Sequence, residues 1–169
     1  MNKLIDPVKF SKSVNVMREF FLKKGFVEVH TQNALSILAA CEDPETISTY
    51  NYGGKVWPLP QTGQMWLEDV LLKNPSLPGA FCLSTSYRNE PNPIEGRHEL
   101  IFPMFEFESK GDINSLHQLE AELLDHIGFQ KTNGEYPSGD YTDIANKYNT
   151  VEIEHEQEMK LAEDYGEVF

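Results

Sequence analysis

The residues best suited to chemistry sit in one stretch. Ser86-Tyr87-Arg88-Asn89-Glu90 is followed by a turn-rich loop, Pro91 to Arg97, and then by His98-Glu99-Leu100-Ile101-Phe102-Pro103-Met104-Phe105-Glu106. An arginine closes an apolar segment and a carboxylate comes two residues later. After the loop a histidine, an aromatic and a second acid recur at intervals of four. If both segments are strands, side chains an even number apart share a face. Arg88 and Glu90 then share one, as do His98, Phe102 and Glu106. Pairing the strands would gather all five on one side of a sheet. That set suits a nucleotide. Arg88 offers planar, permanently charged donors to a phosphate. Arg97 or His98 adds charge at the far phosphate end, Phe102 offers an apolar platform to a purine, and Glu90 accepts from an exocyclic amine. The bland alternative for Arg88 is a structural ion pair with Glu90 or Glu106; the regular spacing of the whole set weighs against it.

The elements around this stretch alternate between helix and strand. Asp6-Pro7 reads as a helix start, with Asp as N-cap and Pro at the first helical position. Phe10, Val14, Met17 and Phe21 recur at helical spacing, and Gly25 closes the helix. A strand is expected over Phe26–His30. Residues 31–54 read as loop, with turn signals at Asp43-Pro44 and Gly53-Gly54. A short strand over Lys55–Leu59 and a helix over Gln64–Lys73, ended by Asn74-Pro75, follow. Ala80–Tyr87 and Ile101–Glu108 are the two strands of the proposed hairpin. Asp112 can cap the next helix, whose stripe of Leu116, Leu119, Leu123 and Ile127 reads as core packing. Further helices are expected over Tyr141–Tyr148 and Glu156–Tyr165, and Gly166–Phe169 reads as the start of a strand.

Bulk properties narrow the classes. The 169 residues, with 40% hydrophobic and 11% aromatic content, suit one folded domain. No apolar run approaches membrane-spanning length, and the N-terminus lacks the apolar stretch of a signal peptide. The two cysteines, Cys41 and Cys82, lie far apart, which points to a reduced cytoplasmic setting with both as small buried residues. Net charge is −13, from 27 acidic and 14 basic residues. That balance repels phosphate backbones overall and argues against a nucleic-acid-binding domain within this chain. The five histidines, His30, His98, His117, His126 and His155, show no paired metal spacing, so no metal site is expected on them.

The central stretch resembles motif 2 of the class II aminoacyl-tRNA synthetases, of the aspartate, asparagine and lysine type. That motif runs aromatic, Arg, any residue, acid, then a variable loop, then Arg or His, three residues, Phe, three residues, acid. Tyr87, Arg88, Glu90, His98, Phe102 and Glu106 fill every slot. The Glu-x-Glu ending, Glu106 and Glu108, is most similar to the asparagine and lysine enzymes, although Ile101 stands where those usually have Glu. Upstream, Lys24 to Thr31 resembles motif 1, the family's dimer segment, with Gln32 in place of the expected proline. Gln61-Thr62-Gly63-Gln64 resembles the Gln-Ser-Pro-Gln segment of the aspartate-type enzymes, with Gly63 in place of proline. The segment from Glu158 to Phe169 resembles the approach to the family's central strands.

The resemblance implies an α+β fold, an antiparallel sheet flanked by helices, formed by residues 1–169 as a single catalytic core without an anticodon-binding domain. It implies ATP-dependent formation of an aminoacyl adenylate, with ATP and Mg2+. Arg88 would be the catalytic residue at the α-phosphate. Glu90, Arg97, His98 and Phe102 would bind ATP with it, and Gln64 and Glu106 would bind the amino acid. A homodimer is implied by motif 1 alone. The acceptor would be tRNA or a small molecule. Motif 3, a Gly-rich segment ending in arginine, and the magnesium-holding acids do not occur among these residues. They are expected beyond Phe169, with the chain as part of a longer protein. The alternative is a non-catalytic synthetase-like module that binds a nucleotide, an amino acid or a protein partner.

Overall fold

The computed structural model describes residues 5–31, 44–131, 133–166 and 168. Met1–Leu4, Gln32, Cys41, Asp43, Glu167 and Phe169 therefore lie outside the described residues. The chain divides into two compact units, Met1–Asp112 and Ile113–Phe169.

In the first unit, helix α1 spans Pro7–Lys23. Asp6 caps it, its carboxylate accepting from the N–H groups of Val8 at 2.9 Å and Lys9 at 3.1 Å. Proline at the first helical position removes a donor that would have no partner. Gly25 takes a φ of 80°, and the chain turns there into β1, Val27–Glu28. Strands β2, Thr49–Tyr52, and β3, Lys55–Pro58, form a separate hairpin around Gly53-Gly54. Helix α2 spans Gln64–Lys73. Strands β4, Gly79–Tyr87, and β5, Ile101–Ser109, pair antiparallel along their whole length. β1 joins the other edge of β4 in parallel, so the sheet order is β1-β4-β5 and the sheet is mixed.

Alternation gives this sheet two different faces. Phe81, Phe105 and Phe107 point one way and meet Phe21 of α1. The Phe21 ring centroid lies 5.6 Å from Phe81, 5.6 Å from Phe105 and 4.8 Å from Phe107. Phe21 and Phe81 are fully buried. Ala80 and Cys82 point the other way and pack on Leu67 of α2, with Val70 and Leu71 half-buried beside them. The same face continues through Ser84 and Ser86 on β4 and through Phe102, Met104, Glu106 and Glu108 on β5. One face is thus an aromatic core, and the other changes from apolar to polar along its length.

The second unit holds α3, Ile113–Ile127, α4, Tyr141–Lys147, and α5, His155–Tyr165. Asp140 caps α4 from its side chain, and Glu154 with Gln157 forms a capping box on α5. The Lys147 ammonium joins α4 to α5, bonded to Asp164 at 2.5 Å and to the Tyr165 hydroxyl at 3.0 Å. The leucine stripe of α3 is half-buried rather than buried, and Ile127 is exposed. Among the described residues of this unit, Ile144 and Ala145 of α4 are the buried ones.

The α+β architecture, α2 and the β4–β5 hairpin stand where the sequence places them. Three details differ. β1 is two residues long and pairs in parallel, where a longer strand and an antiparallel sheet are expected. β2 forms inside the stretch read as loop, because Thr49–Tyr52 finds its partner in β3 across the glycine turn. Gly166 and Val168 lie in no strand.

Candidate active site

The polar half of the sheet face is assembled by register. Ser86 pairs with Phe102 near the end of the ladder, and Tyr87 pairs with Ile101. Arg88 extends the hairpin by one bond, its N–H donating to the Leu100 carbonyl at 2.8 Å. Its side chain folds back over the same face, with Nε 3.4 Å from Ser86 Oγ. The guanidinium and the Phe102 ring thus stand at one end of one face, as the spacing requires.

Two segments brace that end. The Ser86 hydroxyl donates to the Gln61 carbonyl at 2.8 Å, and the Tyr87 N–H donates to the Pro60 carbonyl at 2.9 Å. The buried Gln61 amide donates to Thr46 Oγ1 at 2.8 Å, and the Asn89 N–H donates to the Thr46 carbonyl at 2.9 Å. The 3-10 turn at Pro44–Thr46 and the turn before α2 are therefore both tied to the Arg88 end of β4.

Glu90 and His98 lie beyond the paired strands, so the even-spacing argument does not reach them. The His98 N–H instead closes a turn on Ile94 at 2.9 Å. The two side chains still meet: His98 Nδ1 is buried and 2.6 Å from Glu90 Oε2, an ion-pair distance without hydrogen-bond alignment. Arg97 stands on the loop with Pro91–Gly96.

At the other end of the polar face, Glu106 and Glu108 approach the N-terminus of α2. The Glu106 carboxylate accepts from Thr62 Oγ1, from the Gly63 N–H at 2.7 Å and from Ser84 Oγ at 2.7 Å. The Gln64 side chain bonds Glu108. Burial raises the Glu108 carboxyl above its ordinary range, the Glu68 charge adds to the rise, the Gln64 bond opposes it, and Glu106 adds a little more. Cys82 is buried beneath, its thiol pushed up to about 12 by burial and then by the charges of Glu106 and Glu28, so it is an inert space-filler.

The structure thus brings Arg88 beside Phe102, Glu90 against His98, and Gln64 beside Glu106 and Glu108. Arg97 is not drawn into contact with them. Thr46, Thr62, Ser84 and Ser86 are additions. Ser84 and Ser86 are signalled in the sequence by small polar residues two apart on β4, and nothing local signals Thr46 or Thr62. Among the described residues, no group of three or more His, Cys, Asp or Glu is arranged to hold a metal ion. Among the described residues, open grooves of about 540 and 510 Å³ occur in the second unit, and none of the predicted site residues lines either.

No protein-family model and no curated protein matches the sequence. Solved structures do. Asparaginyl-tRNA synthetase from Pyrococcus horikoshii, complexed with asparaginyl-adenylate, superposes with a TM-score of 0.72 at 22% identity, covering 90% of this chain and 41% of that one. A second structure of the Pyrococcus enzyme gives 0.63 at 19% identity, over 90% and 39%. The Entamoeba histolytica asparaginyl-tRNA synthetase, in complex with asparaginyl-adenylate, gives 0.69 at 18% identity, over 91% and 40%. At such identities the likeness is one of fold, and this chain spans well under half the length of those proteins. Over about nine-tenths of its length the chain has the fold of part of a class II aminoacyl-tRNA synthetase core.

Proposed function

We propose that the protein to which this chain belongs activates an amino acid with ATP, forming an aminoacyl adenylate and releasing pyrophosphate. The observation that carries this reading is that Arg88 and Phe102 share one sheet face, the Arg88 side chain lying against Ser86, the cross-strand partner of Phe102. This is a cation for a phosphate next to a platform for a purine.

In the reaction a carboxylate oxygen of the amino acid attacks the α-phosphorus, and the bond to the bridging oxygen of pyrophosphate breaks. Arg88 draws the carboxylate to the phosphate and spreads the charge that develops on the phosphoryl oxygens. Phe102 stacks on adenine, Glu90 accepts from its exocyclic amine, and His98 with Arg97 meets the outer phosphates. For Glu90 and His98 to do so, their mutual contact must open. Gln64 and Glu106 mark the amino-acid end. The family resemblance brings magnesium with ATP; the described residues hold no cluster of three or more His, Cys, Asp or Glu arranged for a metal ion, and no step here is routed through it.

On this reading the acceptor is tRNA or a small nucleophile, the compartment is the cytoplasm, and the assembly is a homodimer through the segment from Lys24 to Thr31. Among the described residues no helix is long and apolar enough to cross a membrane.

The test is calorimetric titration with aminoacyl-sulfamoyl-adenosine analogues, followed by amino-acid-dependent pyrophosphate exchange. Arg88→Ala should weaken analogue binding by about 10- to 100-fold, the worth of one or two charged hydrogen bonds. Its melting temperature should hardly move, because Arg88 is half-exposed and outside the core. Undiminished binding in that variant would overturn the assignment. Binding without exchange would make the chain a nucleotide-binding module.

A further inference from the structure

The N-cap position of α2 makes no side-chain capping bond. Its N-cap residue is Gly63, which has no side chain to offer. The first N–H groups of a helix need acceptors, and its positive end favours a negative charge. Both are supplied from 43 residues away by Glu106, whose Oε2 takes the Gly63 N–H at 2.7 Å. The other oxygen takes the Thr62 hydroxyl. Thr62 Oγ1 accepts in turn from the Gln64 N–H at 3.1 Å. A relay therefore runs from Gln64 N–H through the Thr62 hydroxyl to the Glu106 carboxylate. Ser84 Oγ donates to Oε2 at 2.7 Å, and Cys82 Sγ lies 4.0 Å from the same oxygen. A carboxylate has about four lone-pair sites, and three donors with a thiol behind them occupy most of the available approach.

Gly63 is required by space rather than by conformation. Its φ of −91° and ψ of −2° suit any residue. A Cβ there would lie 2.6 Å from Cys82 Sγ, 3.0 Å from Thr31 Cγ2 and 3.2 Å from Glu106 Oε2. Proline would also remove the N–H that Glu106 accepts.

We propose that Glu106 is a positioning residue: its carboxylate caps α2 from across the fold, through the Gly63 N–H and the Thr62 hydroxyl, and so fixes Gln64 at the amino-acid end of the site. This rests on the reading of Gln64 as an amino-acid contact. The carboxylate is then bound up within the protein, and the effect of Glu106 on substrate passes through Gln64.

The experiment follows the Gly63 amide by ¹H–¹⁵N spectroscopy and hydrogen exchange, beside titration with an aminoacyl-sulfamoyl-adenosine. In the wild type the Gly63 proton should resonate downfield and be protected. In Glu106→Gln, with the rest of the spectrum still dispersed, it should move upfield and exchange about tenfold faster or more. Glu106→Gln and Gln64→Ala should each weaken analogue binding, and the double variant should be little worse than either alone, because one acts through the other. Additive losses, or a Gly63 amide indifferent to Glu106→Gln, would overturn the proposal. If Glu106→Gln does not fold, the wild-type amide decides: an unshifted, unprotected Gly63 proton sinks the cap. If the wild type binds no analogue, the adenylate reading fails, while the amide still decides the cap by itself.

Discussion

Glu108 is uncomfortable when charged. It is partly buried, and Glu68 and Glu106 are both acidic neighbours. A carboxyl raised in the folded state binds its proton more tightly there than in the unfolded chain. Its contribution to stability is complete below the ordinary carboxyl range and is lost as pH rises through the raised value. Glu108→Gln should therefore stabilise the chain at neutral pH and make no difference at pH values below that range. Urea melts of both proteins across pH check this; a gain that persists unchanged in acid would mean a packing effect instead. The common face of Arg88 and Phe102 is visible in the sequence because register in a hairpin converts spacing into proximity, whereas Glu90 and His98 lie beyond the ladder and Glu106 stands at the other end of the polar face. The hydroxyls of Thr62 and Ser84 are not visible there as partners of Glu106. Thr62 lies 44 residues away, and nothing local announces which strand face it will meet.

At the scale of elements, α2 is the instructive case. Its bounds, Gln64–Lys73, follow from an apolar pattern closed by Asn74-Pro75, yet the device that starts it comes from β5. The close fit of Gly63 against Cys82 gives a direct check. Gly63→Ala should cost about 1–3 kcal/mol, the usual range for overpacking, and distinctly less when Cys82→Ala has already removed the sulfur. Equal costs in both backgrounds, measured as a double-mutant cycle by chemical denaturation, would show that the sulfur is not what limits the space. Pattern length decides which elements are legible before folding. α1, β4 and β5 have long, regular patterns, and the aromatic alternation of Phe105 and Phe107 matches the buried Phe21. β1 and β2 are short and exist through their partners, β4 and β3. Short apolar or mixed runs do not reveal such partners.

For the whole molecule, charge exerts an influence that no single contact shows. With a net charge of −13, self-repulsion opposes the compact state. Salt shortens the reach of that repulsion, from about 30 Å at 0.01 M to about 3 Å at 1 M. Tm should therefore rise with sodium chloride, as read by circular dichroism; a fall would mean that ion pairs such as Arg18–Glu28 and Lys147–Asp164 outweigh the repulsion. The inert thiol of Cys82 has a use on this scale too. With Cys41→Ser it becomes the sole sulfhydryl of the chain. A thiol held fully buried between β4 and α2, and raised to about 12, reacts with a disulfide reagent only when that packing parts. Its labelling rate is therefore a clock for the opening of the sheet, started by adding reagent and read without any ligand.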